Sequence, residues 1–208
     1  MTDLNTISPV APGQEIVFID SRVQDVSALL KNFTPHVRLV FLDAEQDGLE
    51  QMAAALEGVT GLTALHVISH GSQGQLNLGN SVVDSAALSR QAQVLAKIGA
   101  SLSDDGDIML YGCNVAAGAE GQSFIEALAS ATGADVAAST NVTGSSVLGG
   151  DWMLESHSGV VQTLGLFASA EQPDWQYLLA TKPFPGGGMS YSETAQGRDV
   201  DAYTSNAQ

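Results

Sequence analysis

The stretch "LTALHVISHG" (62–71) is an apolar run of strand-forming residues that stops abruptly at His70 and Gly71. Runs of the same kind recur as "EIVFID" (15–20), "VRLVFLD" (37–43), "GDIMLYGC" (106–113) and "DVAAS" (135–139). Continuous apolar segments of this length suit strands buried on both faces. Between them, apolar residues fall at helical spacing: Val26, Leu29, Leu30 and Phe33; Leu49, Met52, Ala53, Leu56 and Val59; Leu88, Ala92, Leu95, Ile98 and Leu102. Phe124, Ile125, Leu128 and Ala129 mark a further helix that stops near Gly133. Strand and helix alternate, which predicts a three-layer α/β sandwich: a mainly parallel, doubly wound sheet with helices on both faces.

The pattern changes beyond residue 145. "VLGGDWMLESHSGVVQTL" (147–164) reads as two strands joined at Ser158-Gly159, an antiparallel hairpin appended to the sheet. "GQLNLGN" (74–80) reads as one short polar strand, and "DWQYLL" (174–179) closes the domain with Trp175 and Tyr177 as packing residues. Residues 1–13 form a polar lead, 14–180 the α/β domain, and 181–208 a Gly-, Ser- and Thr-rich linker or tail with little to bury.

Seven Lys and Arg against 23 Asp and Glu give a formal net charge of −16. Such a surface repels phosphate backbones and anionic lipid, which excludes nucleic acid as a partner. It serves solubility, or it suits an extracellular, calcium-containing setting; Ca2+ is a compatible cation, and no cofactor is required. No run approaches the roughly 20 apolar residues of a membrane span, so no membrane insertion is expected. The single cysteine, Cys113, rules out an intramolecular disulfide and a four-cysteine zinc site. A lone thiol is either an inert core residue or a reactive group.

In an open parallel sheet, ligands gather outside the carboxyl ends of the strands. Those ends are Asp20, Asp43, His70-Gly71, Cys113-Asn114 and Ser139-Thr140. If the strands ending at His70 and Cys113 are neighbours, a spacing of about 5 Å brings imidazole and thiol to one substrate carbonyl. The thiol attacks as thiolate, the imidazole takes and returns the proton, and backbone N–H groups receive the oxyanion. Gly71 and Gly112 keep bulk away from the approaching peptide.

An apolar strand ending in His-Gly, followed by one ending in Gly-Cys, resembles the caspase-like cysteine peptidases, a group that includes caspases, gingipains, clostripain, legumain, separase and self-cleaving toxin domains. Here the blocks are "ALHVISHG" and "DIMLYGC". "VFIDSRVQD" and "LGGDWMLES" further resemble an uncharacterised domain near the amino ends of large secreted bacterial adhesin-like proteins. The resemblance implies Cys113 as nucleophile, His70 as general base and acid, and the amides of Gly71 and Cys113 as oxyanion hole. It implies Asp20 as a residue orienting the histidine. The caspase "QACxG" is absent from "LYGCNVAAG", so specificity does not carry over. Arg22 would favour an acidic side chain before the cleaved bond, Asp20 and Asp151 a basic one, and Ser139 is a further candidate substrate contact. The implied function is a self-processing cysteine endopeptidase module of a larger extracellular or cell-surface bacterial protein. Its substrate is a polypeptide, the parent chain or its own C-terminal segment, with cleavage between Leu178 and Ala180, at Lys182 or at Arg198. The alternative is a catalytically silent binding or spacer module with the same fold.

Other features read more plainly. His66 and His70 share a strand, where four residues span about 13 Å, so they are no zinc pair, and His66 is expected as a packed, hydrogen-bonded side chain. Ser72 in "HGSQG" (70–74) would need a helix directly after it to form a nucleophile elbow. "DDGD" (104–107) lacks a twelve-residue calcium loop and reads as a solvated turn.

Overall fold

A computed structural model describes residues 14–31, 37–167 and 175–180. The expected lead 1–13 and tail 181–208 lie outside them, as do Phe33, His36, Lys182 and Arg198. The elements run β1 (Glu15–Asp20), α1 (Val26–Leu30), β2 (Val37–Leu42), α2 (Gly48–Ala55) and β3 (Leu62–Ile68). Next come β4 (Gly71–Ser72), β5 (Gln75–Leu78), β6 (Ser81–Val83), α3 (Ser85–Arg90) and α4 (Ala92–Gly99). The chain continues through β7 (Leu102–Tyr111), α5 (Gly118–Thr132), β8 (Asp135–Ala138) and β9 (Ser156–Ser158).

The main sheet has the order β2-β1-β3-β7-β8-β9. All its pairs are parallel except β8 with β9, and β3 pairs directly with β7 in the register Ile68↔Tyr111. This is the mainly parallel α/β sandwich expected from the alternation of elements.

Alternation along each strand splits the core in two. Ile16, Phe18, Leu65, Val67, Ile108 and Leu110 pack against α2, α3, α4 and α5. Val17, Ile19, Ile68, Met109 and Tyr111 face the other way, against α1 and an aromatic group of Trp152, Phe167 and Trp175. The carboxylates of Asp47 and Asp84 cap α2 and α3 by accepting N–H bonds from Glu50 and Ala87. Gly133, at φ 77°, ends α5 where the spacing predicts.

Two expectations need correction. The hairpin at 147–164 is not formed: β9 alone adds to the sheet, antiparallel to β8. Its expected first arm is broken by a 3-10 turn at Ser146–Leu148 and by Gly149 at φ 81°. Its expected second arm is tied down instead by carboxylates, Asp135 accepting from Val160 N and Asp107 from Gln162 N and Thr163 N. "DDGD" is thus no wholly solvated turn: Asp107 is buried, within a β7 that already starts at Leu102. The short strand expected within 74–80 is formed as β5, in a separate antiparallel sheet, β4-β5-β6.

Candidate functional site

Because β3 and β7 are neighbours, His70 and Cys113 both leave the sheet at the same edge, two residues past the paired Ile68 and Tyr111. Both are buried, His70 at 7% and Cys113 at 1% exposure. A segment from the end of the domain, Trp175–Ala180, passes over this edge. Ser145 N donates to Tyr177 O at 2.9 Å, Leu179 N to Thr143 O at 2.9 Å, and Gly144 pairs antiparallel with Leu178. On its other side Ala180 forms a parallel bridge with Gly71. The segment is a short added strand, held by main-chain bonds and flanked by the two strand ends.

Two amides converge on one atom of this strand. Gly71 N donates to Leu179 O at 2.9 Å and Cys113 N donates to the same oxygen at 3.3 Å. These are the two N–H groups that the resemblance to caspase-like peptidases implies as an oxyanion hole. Their placement depends on small residues: a Cβ on Gly71 would stand 2.7 Å from Val115 Cγ2, and one on Gly112 would stand 2.9 Å from Leu76 Cδ2. Asn114 takes a left-handed φ of 58°, turning the chain sharply after Cys113, and its N–H is held by Asn141 O at 2.7 Å.

The thiol sits against the 143 backbone: Cys113 Sγ accepts from Thr143 N at 3.3 Å, and its S–H points to Thr143 O at 3.5 Å. Burial pushes the thiol pKa up to about 11, against the smaller opposing effect of the Thr143 and Leu179 backbones. His70 Nε2 donates to Arg22 O at 3.3 Å. Burial lowers the imidazole pKa, and hydrogen bonding to the backbones of Arg22 and Ala180, together with the Asp20 charge, pulls it back up. At neutral pH both groups therefore rest uncharged.

Asp20 acts on the imidazole from one step back. Its carboxylate is fully buried and accepts from Arg22 N at 3.0 Å, Arg22 Nε at 2.9 Å, Arg22 Nη2 at 3.1 Å and Gly79 N at 2.8 Å. It fixes the turn whose Arg22 carbonyl receives His70. The Arg22 guanidinium is engaged with Asp20 and the Gly79 carbonyl. Asp151 and Ser139 stand behind the added strand: Asp151 accepts from Asn141 Nδ2 and Met153 N, and Ser139 Oγ donates to Asn141 O. Both shape the 141–145 loop on which the strand is laid.

Sequence reading did not single out Thr143, Gly144 and Ser145. Gly144, at φ 137°, has the one local signal, since a Cβ there would run into the Tyr177 carbonyl. Ser72 lies in β4, followed by a turn and β5, and its Oγ accepts from Gln75 Nε2 at 2.7 Å. The helix that a nucleophile elbow needs is absent at that place. His66 is buried and bonded to Glu15 Oε2 at 3.0 Å, as expected of a packed histidine. Among the described residues no group of three or more His, Cys, Asp or Glu is placed to hold a metal, and no helix is long and apolar enough to cross a membrane.

A search among curated proteins finds no match. The profile of one family covers residues 16–179, from the second residue of β1 to the carbonyl on which the two amides converge. The chain therefore belongs to the family described as a domain of unknown function, DUF4347.

Proposed function

We propose that the domain is a cysteine endopeptidase of the caspase-like type that processes its own chain, as a module of a larger secreted bacterial protein. The observation that carries this reading is the convergence of Gly71 N and Cys113 N on a single peptide carbonyl, Leu179 O. Two N–H groups aimed at one oxygen are what a tetrahedral oxyanion requires. Here they belong to the residue after the histidine and to the cysteine itself. The neutral thiol and neutral imidazole suit a mechanism in which the proton moves from Cys113 Sγ to the His70 ring as the sulfur attacks. Asp20 supports the resulting imidazolium by its charge.

The test follows the intact mass of the purified chain over days, with and without calcium, beside Cys113→Ala and His70→Ala. Processing in the wild type that both variants abolish supports the reading. An unchanged mass in all three removes the self-processing claim. A second reading, a catalytically silent binding or spacer module, is favoured by one observation: the thiol is 1% exposed and its pKa lies at about 11. That reading expects Cys113 to remain unlabelled by peptidyl electrophiles, whereas His70-dependent labelling argues against it.

A further inference from the structure

We infer that the bond cut is Leu179–Ala180, that the pocket before it selects a leucine-like apolar side chain, and that each molecule cuts its own chain once. This rests on the peptidase reading and assigns the substrate within it. Three independent placements meet at this bond. The carbonyl of Leu179 carries both converging N–H bonds. The thiol lies on the Leu179 side, and both residues belong to the same packed cluster. His70 directly precedes Gly71, the residue that forms a parallel bridge with Ala180. Cysteine and histidine thus each stand beside one of the two residues that share this bond.

Specificity follows from what surrounds Leu179. Its side chain is fully buried in the apolar cluster of Val17, Ile19, Ile68, Met109 and Tyr111. Arg22 and Asp20 bind each other, and Asp151 faces Asn141, so the charges that would read an acidic or basic side chain are engaged elsewhere. A Lys or Asp at position 179 would have to be desolvated with no partner.

The steps balance as follows. Cys113 Sγ bonds to the Leu179 carbonyl carbon, its proton passes to His70, and the carbonyl π pair moves onto the oxygen held by Gly71 and Cys113 N–H. The C–N bond then breaks, the nitrogen of Ala180 takes the proton from His70, and a thioester at Leu179 remains. Water adds to that carbon, giving a proton to His70. The C–S bond breaks, the thiol is restored, and Leu179 ends in a carboxylate. The new terminus keeps every anchor on its own side: Ser145 to Tyr177, Leu179 to Thr143, and Trp175 Nε1 to Gln24 O at 2.6 Å. The product therefore stays in the groove and closes it to a second substrate.

Intact mass and N-terminal sequencing of the incubated full chain test all three parts. The expected result is one cut giving fragments 1–179 and 180–208, first order and independent of protein concentration. Leu179→Met retains processing, and Leu179→Lys slows it by about 100-fold or more. Processed enzyme leaves added full-length Cys113→Ala chain intact. Should Leu179→Lys fail to fold, the fragment masses of the wild type still identify the bond. A Cys113-dependent cut elsewhere overturns the bond assignment and leaves the peptidase reading standing. Multiple turnover of the added Cys113→Ala chain overturns the single-cut claim. No cut in the wild type, joined with no labelling of Cys113 by a Trp-Gln-Tyr-Leu-Leu acyloxymethyl ketone in Trp175→Ala, overturns both the bond and the peptidase reading.

Discussion

Replacing Gly71 with alanine adds one carbon where the structure has no room for it. That Cβ would lie 2.7 Å from Val115 Cγ2 and 3.2 Å from both Cys113 O and Gly112 C. Carbon atoms settle about 3.5–4.0 Å apart, so the 71 backbone must move by roughly 1 Å. Gly71 is not among the positive-φ glycines, so the obstacle is this contact and not backbone strain. The N–H of Gly71 now reaches Leu179 O at 2.9 Å. A shift of about 1 Å takes it beyond hydrogen-bond range. Losing one oxyanion donor slows acyl transfer by about 100- to 1000-fold, roughly 3 kcal/mol of barrier. The assay is the rate at which intact mass falls, with thermal unfolding to verify that the variant is folded. Val115→Ala removes the obstructing methyl at a stability cost of about 2 kcal/mol. The double variant Gly71→Ala/Val115→Ala is expected to regain at least about tenfold of the lost rate. A folded Gly71→Ala that processes within about threefold of wild type refutes the oxyanion role, because so small a change leaves the donor in place.

Asp20→Asn removes a charge that raises the His70 pKa, so the acid limb of the pH–rate profile moves to lower pH; an unmoved limb would show that Asp20 acts on the ring through position alone. The His66 hydrogen bond lowers the Glu15 pKa. Its stabilising contribution is therefore full above the unfolded carboxyl value, near 4.3, and fades as pH falls through the depressed folded value. The urea-midpoint gap between wild type and Glu15→Gln should close over that acid window, and a constant gap counts against the pair. In native His70→Ala, iodoacetamide should label Cys113 at pH 7.5 about 100-fold or more slower than a free cysteine, since a thiol near 11 is almost wholly protonated; urea should restore the ordinary rate. Equal native and unfolded rates would contradict the burial of the sulfur.

The parallel sheet was legible because its strands are buried on both faces: Ile16 to Ile19, Leu65 to Ile68 and Ile108 to Tyr111 are buried continuously, and short, nearly continuous apolar runs suit such strands. The neighbouring of β3 and β7 then brings His70 and Cys113 to the same end of the sheet. What stayed hidden was set by groups without side-chain signatures. β4, β5 and β6 are two to four residues long, too short for a period to register. The helical spacing from Leu88 to Ile98 concealed the break between α3 and α4 at Gln91, because one irregular turn keeps the apolar residues on the same side. The groove is made of main-chain atoms of Thr143, Gly144 and Ser145, which any residue supplies. Asp20 was found at the correct strand end, but its route to His70 runs through the Arg22 carbonyl, which no residue type announces.

The chain has two tryptophans, and the structure divides them between the body of the domain and the strand laid over its sheet edge. Trp152 and Trp175 stand with ring centroids 5.5 Å apart, inside a buried aromatic group that includes Phe167 and Tyr111. At that separation the two indoles share their excited states and are shielded from solvent quenching. Detachment of the strand would separate them and wet both rings, changing emission and near-ultraviolet circular dichroism together. The protein thus carries its own optical gauge of whether its groove is filled, with no dye and no added label.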